Sequence, residues 1–119
     1  MASEVSWVLE LNIKPEHKDD FPALVEEMVR ATRETEPGTL EYQWSTDSYG
    51  TVCQIYERYV DSAAVLTHLG NFGENFAARF MEILEPTRFV VYGSPSQEVI
   101  DALAGFGPTY MKSVGGFTR

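Results

Sequence analysis

Two side chains in the middle of the chain, Glu57 and His68, are of types that can move protons. Glu57 lies in the segment TVCQIYERYV, on one face of a predicted strand with Cys53, Ile55 and Tyr59. A carboxylate among apolar neighbours has a raised pKa and can act as a base. His68 follows in DSAAVLTHLG, and imidazole titrates near neutral pH, so it can accept a proton from a phenol. The pair indicates general acid–base chemistry.

Each of these two residues also has a structural interpretation that the sequence leaves open. Glu57 could be a buried carboxylate that pairs with backbone N–H groups or with Arg58 or Arg88 across a sheet. His68 could bond the last free carbonyls of a helix that ends at Gly70.

Aromatic residues make up 13% of the sequence, and many of them lie on predicted strands. They predict either a plain hydrophobic core or a slot for a flat polycyclic substrate. Asn71 could orient a substrate carbonyl in such a slot, or it could be the N-cap of a helix. The aromatic candidates for substrate binding are Tyr42, Trp44, Tyr56, Tyr59, Phe72 and Phe76.

Composition and spacing exclude several classes of function. The net charge is −9 with no basic cluster, so a nucleic-acid partner is not expected. The single Cys53 excludes an intrachain disulfide and a cysteine-based zinc site. His17 and His68 lack metal-ligand spacing, so no metal is expected. With no glycine-rich phosphate loop and no Rossmann fingerprint, we expect no tightly bound nucleotide cofactor.

The N-terminus carries no signal-peptide pattern, and no apolar run approaches the roughly 20 residues of a membrane span. We therefore expect a cytoplasmic protein without a membrane partner.

Hydrophobic periodicity predicts the elements that position these residues. Asp61 caps a short helix that ends at Gly70, and Asn71 caps a second one that ends at Glu85-Pro86. The other predicted elements are a strand over Val5–Ile13, an amphipathic helix from about Phe21 to Glu36, a hairpin of strands near 39–45 and 51–59, and a strand over 88–92.

This order predicts an α+β, ferredoxin-like βαββαβ fold with a four-stranded antiparallel sheet and helices on one face. The third strand carries bulky residues on both faces, so a second layer must cover it, most simply the partner in a homodimer. We expect one domain over residues 1–93. Residues 94–119 are predicted to form a C-terminal extension, a short helix and tail packed on the same domain or on its dimer partner.

The element order, together with EPGTLEYQW after the first helix and ERYVDSAAVLTH, resembles the antibiotic biosynthesis monooxygenase (ABM) family of dimeric α+β barrel proteins. The resemblance spans roughly Val5 to Gly93. Family members include cofactor-free monooxygenases for quinols and anthrones, haem-degrading enzymes and proteins of unknown activity. In the family pattern a carboxylate and an aromatic residue end the third strand and a histidine follows. Glu57, Tyr59 and His68 match those positions.

The resemblance implies a homodimeric, cofactor-independent monooxygenase or quinol oxidase that acts with O2 on a small aromatic substrate. His68, or a water that it holds, would deprotonate a phenol, quinol or anthrone, and Glu57 is the second catalytic candidate. One alternative is a non-enzymatic small-molecule-binding or stress-response protein on the same scaffold. Another is a haem-binding or haem-degrading relative, although His68 and Ala78 stand where that branch has Trp and His.

Overall fold

The structure, a computed structural model, describes residues 3–119. Short 3₁₀ turns at Pro15–His17 and Ala104–Phe106 join some of its longer elements. In chain order these are β1 (Val5–Ile13), α1 (Phe21–Thr35), β2 (Thr39–Thr46), β3 (Val52–Tyr59), α2 (Ser62–Asn75), α3 (Ala77–Ile83), β4 (Leu84–Gly93), α4 (Gln97–Leu103) and β5 (Thr109–Met111).

The strands form one sheet in the order β2-β3-β1-β4-β5. The pairs β2–β3, β3–β1 and β1–β4 are antiparallel, which confirms the α+β ferredoxin-like fold. The prediction of a four-stranded sheet is wrong by one strand, because β5 pairs in parallel with residues 90–92 of β4. An open sheet edge presents unpaired N–H and C=O groups, and the returning chain satisfies some of them.

One face of the sheet carries the core. Alternate residues of β1, from Val5 to Ile13, are buried, as the alternation predicts. Helix α1 follows Asp20 and has Pro22 in its first turn, and it buries Leu24, Met28 and Thr32 at intervals of four residues. Intervals of four keep side chains on one side of a helix, so α1 lies along the sheet with a single buried stripe.

Helix α2 does not end at Gly70, so the prediction of a short helix there is wrong. It continues to Asn75, and the break comes at Phe76, where φ is −131° and ψ is −16°. A glycine inside a helix costs about 1 kcal/mol relative to alanine. The stripe that faces the core continues past it, from the buried His68 to the partly buried Phe72, and outweighs that cost. Asn71 therefore lies inside α2 and is not an N-cap.

Strand β4 begins at Leu84, directly after α3 and four residues before the predicted start at Arg88. Pro86 lies opposite Leu11, where the register between β1 and β4 shifts. A proline has no N–H to donate to the ladder, so it suits such an irregularity.

The C-terminal extension packs onto the same core. Ser96 caps α4 by accepting a hydrogen bond from the Val99 backbone N–H at 3.2 Å. Val99 and Leu103 of α4 are fully buried in the cluster that contains β1. The helix therefore belongs to the packed body of the protein, while the division at residue 93 remains a prediction.

The opposite face of the sheet is mixed in character. Val8, Val90 and Tyr92 border a shallow depression there, with Glu10 and Arg88 at its rim. No helix of the described residues is long and apolar enough to cross a membrane.

Candidate active site

His68 lies between two buried carboxylates. Its Nδ1 is 2.8 Å from Glu36 Oε1, and its Nε2 is 3.3 Å from Glu57 Oε1. The three residues are 4–5% exposed, so all of them are almost fully buried. Because the carboxylates meet opposite ring nitrogens, the three groups form a line, which we name the Glu36–His68–Glu57 array.

Three elements bring the array together. Glu36 follows α1 and continues its buried stripe of Leu24, Met28 and Thr32 by one more interval of four. Glu57 lies on the core face of β3, opposite Trp7 of β1. His68 projects from the buried side of α2. The array therefore joins the end of α1, the middle of the sheet and α2.

Glu36 is held by three donors. Besides His68, Thr39 Oγ1 donates to Glu36 Oε1 at 3.0 Å and Asn71 Nδ2 donates to Oε2 at 3.1 Å. Burial acts to raise the pKa of Glu36, but the hydrogen bond and charge of His68, with Asn71 and Thr39, outweigh it and leave that pKa below its usual value. Glu36 is therefore ionised at neutral pH, and His68 Nδ1 carries a proton.

Glu57 has the opposite balance. Burial raises its pKa, and neither the charge of His68 nor the hydrogen bond from the Tyr59 hydroxyl to Oε1 fully offsets this. The expected alternative of an arginine partner is wrong. Arg58 instead contacts Glu41 at 2.7 Å and Glu4 at 3.1 Å.

His68 has a raised pKa, since its hydrogen bond to Glu36 and the charges of both carboxylates outweigh the opposing effect of burial. The alternative in which His68 caps the end of its helix is wrong, because α2 continues for seven residues beyond it. Nε2 and Glu57 Oε1 are both acceptors when unprotonated. At 3.3 Å they interact through their charges, and the two groups titrate as a coupled pair.

Glu57 and His68 border a cavity of about 40 Å³ whose other walls are mainly apolar and aromatic. A cavity of this size accommodates about three water-sized molecules, whereas a benzene ring occupies one on the order of 150 Å³. The cavity as it stands admits dioxygen or water but no aromatic substrate. Its walls include Trp7, Leu9, Ile55, Phe72, Phe80, Leu103 and Phe106.

One wall of this cavity comes from the C-terminal extension. Leu103 ends α4, and Phe106 follows in a single 3₁₀ turn between Gly105 and Gly107. The Phe106 ring meets Phe89 edge to face, with centroids 6.2 Å apart, and remains 42% exposed. The extension therefore completes the cavity with a side chain that also faces solvent.

Some of the sequence-predicted site residues meet at this cavity. Tyr42 and Phe72 line it together with Glu57 and His68. The Tyr42 and His68 rings are 5.5 Å apart between centroids. Tyr59 lies behind the cavity as a hydrogen-bond donor to Glu57.

Other predicted residues lie elsewhere. Trp44 packs against Tyr42 and Phe80, beyond the cavity wall. Tyr56 lies on the other face of β3, opposite Val8. Phe76 lies at the junction of α2 and α3, and Asn71 contacts Glu36 rather than the cavity.

Sequence reasoning missed Glu36, Trp7 and Phe106. The spacing of four residues that leads from Leu24 to Glu36 was a usable signal for Glu36. Trp7 and Trp44 each bury an indole N–H that finds no hydrogen-bond partner among residues 3–119. For Trp7, only the pairing of β1 with β3 shows that it lies opposite Glu57.

Within the described residues no group of three His, Cys, Asp or Glu side chains is arranged to hold a metal ion. The array itself does not suit one, because the two carboxylates approach opposite nitrogens of His68.

The fold and the site define an α+β protein with a buried acid–base array beside an apolar cavity. The sequence profile described as antibiotic biosynthesis monooxygenase matches residues 5–78. The chain therefore belongs to the ABM family, and its fold is that of the dimeric α+β barrel. No curated protein matches the sequence.

Solved structures share this fold. MupZ from Pseudomonas fluorescens has a TM-score of 0.85 and 24% identity, with 98% of this chain and 94% of that chain covered. Rv0793 from Mycobacterium tuberculosis has a TM-score of 0.67 and 25% identity, covering 80% of this chain and 98% of that chain. SnoaB, a cofactor-independent oxygenase from Streptomyces nogalater, has a TM-score of 0.65 and 13% identity, covering 81% and 97%. The MupZ match includes the C-terminal extension.

Proposed function

We propose that this protein is a cofactor-independent monooxygenase that acts with O2 on a small aromatic substrate of the phenol, quinol or anthrone type. The observation that carries the proposal is a carboxylate of raised pKa, Glu57, beside an apolar cavity that admits dioxygen. Distant ABM structures include a cofactor-independent oxygenase, which supports the same reaction class.

Glu57 is the proposed base. Its Oε1 already meets Tyr59 and His68. Both nitrogens of His68 are engaged with carboxylates. Oε2 is therefore the acceptor left for a substrate proton, and His68 serves to set the charge of Glu57. A base works best when its pKa lies near the working pH, and burial moves Glu57 in that direction.

For an anthrone the reaction balances without an outside reductant. Glu57 removes one proton from the methylene carbon, and the carbanion gives one electron to O2. The two radicals combine into a peroxide, which takes the proton back from Glu57. Glu57 then removes the second methylene proton as the O–O bond breaks and a carbonyl forms. The released hydroxide takes that proton and leaves as water.

Substrate entry requires the cavity to enlarge. Most of its walls belong to the sheet and to α2 and α3, whereas Phe106 lies in one 3₁₀ turn between two glycines. We assign the opening to this turn. The dry aromatic walls then exclude water from the anion while it reacts.

ABM proteins are typically dimers, and we propose that this chain dimerises through the sheet face that carries Val8, Val90 and Tyr92. Both valines are more than half buried already, and a sheet-on-sheet contact would cover the depression between them. Val8→Lys is expected to shift the dimer towards monomer in light scattering, and Glu34→Lys on α1 is the control for added charge.

The proposed activity is tested by oxygen uptake with pure protein against a panel of anthrones and hydroquinones, each corrected for autoxidation. Saturable uptake that Glu57→Gln abolishes and Glu34→Gln preserves is the expected result. Uptake equal to autoxidation across the panel would move the assignment to small-molecule binding. Loss of a substrate proton to solvent under nitrogen, without uptake in air, would show a base without oxygenase chemistry.

A further inference from the structure

A second, polar opening lies at the other end of the array. It is a groove of about 400 Å³ between the end of α1 and β2, bordered by Thr32, Arg33, Glu36 and Thr39. Glu36 lines this groove but not the apolar cavity, and Glu57 and His68 line the cavity but not the groove. Among residues 3–119, Tyr42 alone borders both. The array therefore runs from a polar groove to an apolar cavity.

The contacts along this line are continuous. Glu36 meets His68 Nδ1 at 2.8 Å, and His68 Nε2 meets Glu57 at 3.3 Å. Imidazole can release a proton from one nitrogen while it takes one at the other. Beyond the array, the cavity wall carries the Tyr42 hydroxyl and the Trp7 indole N–H. Burial raises the pKa of Tyr42 well above its usual value, so both groups keep their protons at neutral pH.

Hydrogen bonds hold the Glu36 carboxylate in a fixed position. Thr39 and Asn71 hold its two oxygens at 3.0 Å and 3.1 Å. It keeps 5% of its surface exposed, at the wall of the groove. An ionised carboxylate in contact both with water and with an imidazole N–H can pass a proton between them.

We propose that Glu36 is the proton port of the site, the residue through which the His68–Glu57 pair equilibrates with solvent by way of the α1–β2 groove. Its part in turnover rests on the proposed function, because a base that starts each cycle ionised must be able to lose surplus protons. The exchange itself does not depend on which reaction the site catalyses. Glu36 is thus a positioning and proton-transfer residue and does not touch substrate.

The test is the rate at which the ring N–H of His68 exchanges with water, measured by NMR on protein with ¹⁵N-labelled histidine. Glu36→Gln keeps a hydrogen-bond acceptor for Nδ1 but cannot carry a proton, so exchange is expected to slow at least tenfold. Glu34→Gln, which changes an exposed carboxylate two residues earlier in α1, is the matched control and should leave the rate unchanged. His17, a partly buried residue in the turn before α1 that contacts Asp20, supplies an internal reference in every sample.

The sign of the change separates a port from mere structural support. Loosening of the fold accelerates exchange of His68 together with the backbone amides of α2, whereas loss of a port slows His68 alone. Formate, a small carboxylic acid that can enter the groove, is expected to restore exchange in Glu36→Gln. Unchanged or faster exchange in a folded Glu36→Gln protein would overturn the proposal.

Should Glu36→Gln fail to fold, a second variant tests the same idea with the array intact. Leu40 borders the groove and is 42% exposed, so Leu40→Trp fills the opening without touching a member of the array. Slower His68 exchange in Leu40→Trp supports the port, and an unaltered rate refutes it.

The two proposals can fail separately. Slow His68 exchange in Glu36→Gln, without oxygen uptake by the wild type, would support the proton port and refute the oxygenase. Oxygen uptake that depends on Glu57, together with a His68 exchange rate that neither Glu36→Gln nor Leu40→Trp changes, would support the oxygenase and refute the proton port.

Discussion

Glu36 and Glu57 are two buried carboxylates on either side of one imidazole, yet their pKa values move in opposite directions. Glu36 has three side-chain donors and borders a polar groove. Glu57 has the Tyr59 hydroxyl and a longer contact with His68, and it borders an apolar cavity. The number of donors and the polarity of the adjoining space, more than burial, distinguish the two.

This difference separates structural support from chemistry. A carboxylate whose charge is fully paired is stable and a poor base, while one that is underpaired in a dry site is costly and reactive. The same His68 serves both, because it gives Glu36 a full hydrogen bond and interacts with Glu57 through charge at 3.3 Å.

The largest expected effect is on turnover. Glu57→Gln removes the proposed base, and loss of a general base typically lowers the rate by about 10²–10⁴-fold. Glu36→Gln should lower the rate much less, because the base itself remains. Oxygen uptake with an active anthrone measures both, with His17→Gln as a control for surface change. Equal losses in the two variants would contradict the division of roles.

The next effect is on stability at neutral pH. Glu36→Ala leaves the His68, Asn71 and Thr39 donors without their acceptor, and we expect a loss of about 3 kcal/mol in the free energy of unfolding. Glu57→Gln replaces a poorly paired buried charge by a neutral group of the same shape, so we expect a change below about 1 kcal/mol or a gain. Urea denaturation at pH 7 measures both, and a larger loss for Glu57→Gln would reverse the comparison.

The pH dependence should have opposite signs for the two carboxylates. The folded-state pKa of Glu36 is lowered from 4.5, so its stabilisation is present above pH 4.5 and is lost as pH falls through the folded value. The folded-state pKa of Glu57 is raised from 4.5, so ionising it costs stability as pH rises from 4.5 through the folded value.

Unfolding free energies of the wild type and both Gln variants across this range provide the measurement. The wild-type advantage over Glu36→Gln should shrink in acid. The wild-type advantage over Glu57→Gln should instead grow in acid. Parallel curves would show that the two groups have similar environments.

The smallest expected effect on stability belongs to the cavity wall. Phe106 is 42% exposed, so Phe106→Ala should cost less than about 1 kcal/mol. It should nevertheless lower KM for bulky anthrones, since it removes the proposed barrier to entry. Phe117→Ala, a change in the exposed tail, is the control in the same kinetic assay. An unchanged KM would assign entry to another part of the wall.

The sequence predicted correctly those elements whose hydrophobic pattern and caps lie within the element itself. The alternation from Val5 to Ile13 and the cap-and-stripe pattern of α1 correspond to the observed elements. Gly70 misled the prediction, because its local preference to end a helix is weaker than the burial of residues on both sides of it. Strand β5 is a three-residue element whose pairing partner no local pattern indicates.

The site was only partly within reach of sequence reasoning. Glu57 and His68 could be singled out by residue type and by resemblance to the family. To predict Glu36, the α1 stripe had to be extended past the end of the helix. Pro37 instead indicated only that the helix ends there. That Trp7 faces Glu57 depends on strand register, which is a property of the whole sheet and not of any single strand.

The two buried indoles give the protein an optical property of its own. The chain has only two tryptophans, and both lie at this end of the core, with Trp7 in the cavity wall and Trp44 beside Tyr42. Neither has a hydrogen-bond partner within residues 3–119. Almost all of the intrinsic fluorescence therefore originates next to the site. A ligand that enters the cavity or accepts a hydrogen bond from the Trp7 indole N–H is expected to shift or quench that emission, so occupancy can be followed without a label.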